Sequence, residues 1–111
     1  MNASQTVTLS EAISAQTNGI VLVWSAYSDN KVQDFNFAFT FIPKRFVALK
    51  PGCGVDTPLL RADMSTACGC KYLYINDTTI KGHDNNRNSG TGKNGITYNN
   101  DKYVLRYVIG V

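Results

Sequence analysis

A Ser-His or Cys-His nucleophile pair needs an imidazole, and the sequence has one histidine, His83, beside Asp84 at the head of a polar loop. A loop histidine in that setting is ordinarily solvated, so this route to catalysis lacks its usual base. Charge is scarce too: 17% of residues are charged, the net charge is +3, and the eleven Lys and Arg residues are spread along the chain. Without a basic patch, no nucleic-acid partner is expected. Long apolar runs are missing; Ile20 to Trp24 is far shorter than a helix needs to cross a bilayer, so no membrane insertion is expected. The opening Met1-Asn2-Ala3-Ser4 has no basic segment leading into an apolar one and does not read as a secretory signal. Three cysteines leave one unpaired under any scheme, and Cys68-Gly69-Cys70 suits neither an easy mutual bridge nor a zinc knuckle. Free thiols in a reducing cytoplasm, with no metal and no cofactor, are the expectation.

What is present is a globular composition. Hydrophobic residues make up 43% of 111, and a chain of that length buries roughly two-thirds of its extended surface, enough for one core. A single β domain over residues 1–111 follows. Gln5 to Leu9 alternates Val7 and Leu9 with Thr6 and Thr8, as a half-buried strand does, and Ser10 to Ile13 leaves room for a turn or one helical turn. Ile20 to Trp24 is apolar on both faces and continues towards Tyr27, which predicts a central strand. The clearest pattern places Phe35, Phe37, Phe39 and Phe41 on one face and Asp34, Asn36, Ala38 and Thr40 on the other, a period of two that no helix uses. The phenylalanine face is expected to be the core seam. After Pro43, Phe46 to Leu49 reads as a short strand and Pro51 to Gly54 as a turn.

Between Val55 and Ala67 the pattern is ambiguous: Leu59-Leu60-Arg61 is compatible with a strand and Met64-Ser65-Thr66 has no period. Lys71 to Ile75 reads as a strand returning through Asn76-Asp77 into Thr78 to Lys81, a hairpin. His83 to Gly95 is polar, with nothing to bury, and belongs on the surface. Ile96 to Tyr98 and Tyr103 to Ile109 close the chain. The last strand is apolar on both faces except at Arg106, which points to a central position or a subunit contact. About eight short strands without a full-length helix give an all-β fold, an antiparallel β-sandwich of jelly-roll-like type.

Chemical motifs fail on inspection. Gly90-Thr91-Gly92-Lys93 has the look of a phosphate loop, but Arg87 stands where the first glycine belongs and Asn94 follows the lysine. Asp84, Asn86 and Asn88 sit at alternate positions like the first ligands of a calcium loop, yet Ser89 replaces the turn glycine and Gly95 the bidentate acid. No pair of carboxylates among the eight acids is singled out for glycosidic hydrolysis. Sugar binding without chemistry asks for an aromatic residue beside amides and charged groups on loops, and His83, Asp84, Asn86, Arg87, Asn88 and Tyr98 supply those types. The same asparagines also suit turn geometry alone.

The segments Gly19 to Tyr27, Phe39 to Lys44, Lys71 to Ile75 and above all Lys102-Tyr103-Val104-Leu105-Arg106-Tyr107-Val108-Ile109-Gly110-Val111 resemble the C-terminal module of tail-fibre and baseplate receptor-binding proteins from phages and prophages of Gram-positive bacteria. The resemblance runs from about Leu9 to Val111. It implies a β-rich, commonly trimeric, non-enzymatic module of a longer tail protein, made in the bacterial cytoplasm and carried at the virion tail tip. The partners it implies are a host cell-surface polysaccharide or receptor and other tail proteins. A glycan-degrading depolymerase module and a carbohydrate-binding domain of a bacterial enzyme are the alternatives.

Overall fold

The computed structural model of the chain describes residues 1–2, 4–60, 68–93 and 95–111. Ten strands appear among them: β1 (Thr6–Thr8), β2 (Gly19–Ser28), β3 (Lys31–Val32), β4 (Ala38–Pro43), β5 (Gly54–Leu60), β6 (Cys68–Ile75), β7 (Thr79–Lys81), β8 (Ser89–Thr91), β9 (Thr97–Asn99) and β10 (Tyr103–Gly110). One short helix, α1 (Lys44–Leu49), follows β4. The larger sheet runs β1-β7-β6-β9-β8 with β5 on the other edge of β6; the smaller is built on β2, with β10 on one side and β4 and β3 on the other. Pairing is antiparallel except for one parallel bridge, Cys68 to Tyr98. The fold is all-β and sandwich-like.

Alternation decides what each sheet buries. On the smaller sheet Ile20, Leu22, Trp24 and Ile42 face inward; on the larger, Leu59, Leu73, Ile75 and Ile80 meet them, and Ile13, Val47 and Tyr103 complete the cluster. Each such side chain contributes about 1.5–3 kcal/mol by leaving water. Trp24 is fully buried, and its indole N–H donates to Thr40 Oγ1 at 3.0 Å, so the polar end of the ring is satisfied inside. Gly19, where the chain enters β2, has φ 150°, and a Cβ there would collide with the Ile42 carbonyl.

The phenylalanine ladder is a strand only from Ala38 onward, because Asn36 at φ 55° turns the chain out of the extended form and leaves Phe35 and Phe37 before β4. Its polarity is opposite to that expected. Phe39 is 70% exposed, and Phe35, Phe37 and Phe41 are exposed as well, while Ala38, Thr40 and Ile42 point inward. The cause is Trp24: Ala38 lies directly across from it, so small residues are what fit beside a buried indole. Phe46 to Leu49 is helical, because four apolar residues suit either element, and the helix starts at Lys44, directly after Pro43 in extended conformation. β10 is an edge strand, paired with β2 alone among the described residues. The polar stretch after Gly82 is more ordered than expected: it holds a 3₁₀ turn (Asp84–Arg87) and β8, and Asn86 is buried. The hairpin of β6 and β7, the central β2 and the single helical turn near Ile13 stand where the sequence puts them. Leu59 and Leu60 belong to β5, whereas Arg61 and Met64 to Thr66 lie outside the described residues.

Candidate recognition site

Along β6 the two-residue period sends Lys71, Leu73 and Ile75 inward and Tyr72 and Tyr74 to the outer face of the larger sheet. The tyrosine rings meet edge to face, 5.5 Å between centroids at 61°. The imidazole of His83 joins them at 5.5 Å from Tyr72 and 6.1 Å from Tyr74. The hairpin brings it there: Tyr74 pairs with Lys81, so two residues further along each arm Tyr72 and His83 are neighbours. Gly54 lies across from Tyr74 on β5, and a Cβ on it would run into the Tyr72 ring, which therefore spreads over the strand. Asp56 stands opposite Tyr72, and Lys81 flanks Tyr74. The result is a shallow platform of two phenols and an imidazole between a carboxylate and an ammonium.

His83 is held in place as the cap of the 3₁₀ turn. Its Nδ1 accepts from the Asn85 backbone N–H at 3.0 Å, so the neutral ring carries its proton on Nε2. Beneath the turn lies a polar anchor. Asn86, 1% exposed, accepts from the Tyr72 backbone N–H at 2.6 Å and donates to the Tyr72 carbonyl at 3.0 Å and to the Met1 carbonyl. Lys71, also buried, donates from Nζ to the Asn86 carbonyl at 3.0 Å. Burial pulls the Lys71 amine down to about 8, opposed by the negative charge of Asp101. Asn100 completes the brace, donating to the Asn85 carbonyl at 2.7 Å and accepting from the Cys70 backbone N–H at 2.9 Å.

The six residues singled out in the sequence thus divide. His83 belongs to the aromatic platform. Asn86 is turned inward and spent on backbone hydrogen bonds, so it serves the scaffold and is not available to a ligand. Asp84, Arg87 and Asn88 are exposed on the turn, where Asn88 donates to the Asn85 side chain at 3.2 Å. Tyr98 lies on β9 across from Gly90, and no ring contact joins it to His83. Tyr72, Tyr74 and Asp56 were missed. The signal for the tyrosines was their alternation with Leu73 and Ile75, and counting back from the hairpin turn would have set His83 beside Tyr72.

One further feature lies apart from the platform. An open groove of about 940 Å³ separates β1 from β10, lined by Val7, Leu9, Ile20, Leu105 and Val108 among others. The Cys70 thiol is pushed up by burial and by Asp56, and Cys53, Cys68 and Cys70 are all free. Among the described residues no group of three or more His, Cys, Asp or Glu side chains could hold a metal ion, and no helix is long and apolar enough to cross a membrane. No family model matches the chain, and no curated protein or solved structure matches it either.

Proposed function

We propose that this chain is a non-enzymatic recognition module of a phage tail tip, and that it binds a saccharide of the host cell wall on the Tyr72–Tyr74–His83 platform. The observation that carries the reading is that ring cluster, held on a β-sheet and braced from below by Asn86 and Asn100. Aromatic side chains join an apolar face to a polar tip, which suits the apolar faces and hydroxyl edges of a sugar ring. Asp56 accepts from hydroxyls, while Lys81 and the His83 Nε2–H donate to them. The resemblance of Lys102 to Val111 and of Gly19 to Tyr27 to tail-fibre and baseplate modules supplies the tail context. A shallow platform binds weakly at one site, and repeated presentation on a virion multiplies such contacts.

The test is co-sedimentation and calorimetry of the purified protein with wall polysaccharides from Gram-positive cells. Tyr72→Ala and Tyr74→Ala should each weaken binding about tenfold or more, with the circular dichroism spectrum unchanged. Binding to no wall fraction, or binding indifferent to both substitutions, overturns the reading. Release of reducing sugar ends overturns its non-enzymatic part.

A further inference from the structure

The outer face of the smaller sheet is apolar across its middle, with Arg106 at one margin. Two rows cross its three main strands: Phe39, Val23 and Tyr107 form one, Phe41, Val21 and Ile109 the other. No charged side chain stands in either row. Phe39 is 70% exposed, Tyr107 56%, Ile109 49%, Phe41 47% and the adjoining Phe37 44%. Taking roughly 200 Å² for a whole aromatic side chain, the four rings leave about 400 Å² of apolar surface in water. That already matches the largest apolar patch of an ordinary monomer, about 300–600 Å². It is also about half of the ~800 Å² that each partner brings to a standard interface, before Ile109 and a polar rim are counted.

We infer that this face is covered by a second copy of the chain. Three observations favour a copy over an unlike partner. First, the face repeats itself about β2: Val21 and Val23 are flanked by Phe41 and Phe39 on one side and by Ile109 and Tyr107 on the other, so both halves offer the same apolar chemistry. A face of that kind can meet its own copy about a symmetry axis. Second, the charges at the margin are already satisfied within the chain. Arg106 pairs with Asp34 at 2.8 Å, donates to Ser25 Oγ at 3.1 Å and to the Gln33 carbonyl at 3.2 Å, and lies over the Phe37 and Tyr107 rings. The face therefore asks for no countercharge, and two copies do not repel across it. Third, the make-up of the patch, aromatic residues with one arginine and no lysine or glutamate, is that of an interface centre.

The inference does not rest on the saccharide reading, since the two faces lie on opposite sheets. It is tested by sedimentation equilibrium of the whole chain at about 100 μM, with Phe39→Ser/Phe41→Ser as the variant and Tyr72→Ala as the control. The wild type and the control should sediment as oligomers and the double variant as a monomer with unchanged Trp24 fluorescence. A monomeric wild type, or an oligomer of the same size in the double variant, overturns the proposal. Should the double variant not fold, the wild type alone decides: its melting temperature rises with protein concentration if copies associate and is flat if they do not.

Discussion

At the scale of the residue, two of the buried polar side chains, Asn86 and Lys71, meet in one hydrogen-bonded anchor. Asn86 gives the Tyr72 backbone both a donor and an acceptor, and burial makes their loss expensive: about 1–3 kcal/mol for each buried group left without a partner. Asn86→Ala is expected to lower stability by about 2–4 kcal/mol in urea unfolding, whereas Asn88→Ala, on the exposed side of the same turn, should stay within about 0.5 kcal/mol. Lys71 imposes a pH dependence. Its amine titrates near 8 in the folded chain and near 10.5 when unfolded, so between those values the unfolded state holds more protons and stability rises with pH. Below pH 8 the cost of burying the charge is fully present. Measured against Lys71→Met, the wild type should therefore gain about 1–2 kcal/mol between pH 7.5 and pH 9.5; an unchanged difference would contradict the assignment.

At the scale of the element, β4 has one alternating pattern and two very different faces. Leu22→Ala, which empties part of the core, is expected to cost about 2–5 kcal/mol, while Phe39→Ala should cost the fold of a single chain less than about 1 kcal/mol. Thermal unfolding of both at low protein concentration checks the contrast. The same strand shows what a sequence can and cannot disclose. A period of two establishes that two faces differ, but not which one turns inward; that depended on Trp24, fourteen residues before Ala38, occupying the space behind Ala38 and Thr40. β2, β6 and the β6–β7 hairpin were legible because their signals are local: an uninterrupted apolar run, an alternation, a turn. Phe46 to Leu49 was not, since a short apolar run fits helix and strand alike. The site was half legible. His83 carries its chemistry in its name, but its tyrosine neighbours emerge only when the hairpin register is followed, and Asn86 looks like any turn asparagine until its burial is known.

At the scale of the whole molecule, the sandwich turns two unlike surfaces outward, one aromatic and polar around Tyr72, the other apolar around Phe39. Its sheets are also closed by pairings distant in the chain, β10 on β2 and β9 beside β6. Such topologies fold in milliseconds to seconds, and refolding followed by the fluorescence of Trp24, which lies across from Leu105, is expected on that timescale; a microsecond phase carrying the full amplitude would contradict the long-range pairing. The edge position of β10 has a further consequence on the ribosome. Gly19–Ser28 is synthesised early, yet one of its three partners, Tyr103–Gly110, is made after every other described strand. At about 5–20 residues per second the wait is about 4–15 seconds. For that interval the nascent chain holds its most apolar strand with one flank open, a window in which a chaperone, or a neighbouring nascent copy, can reach it first.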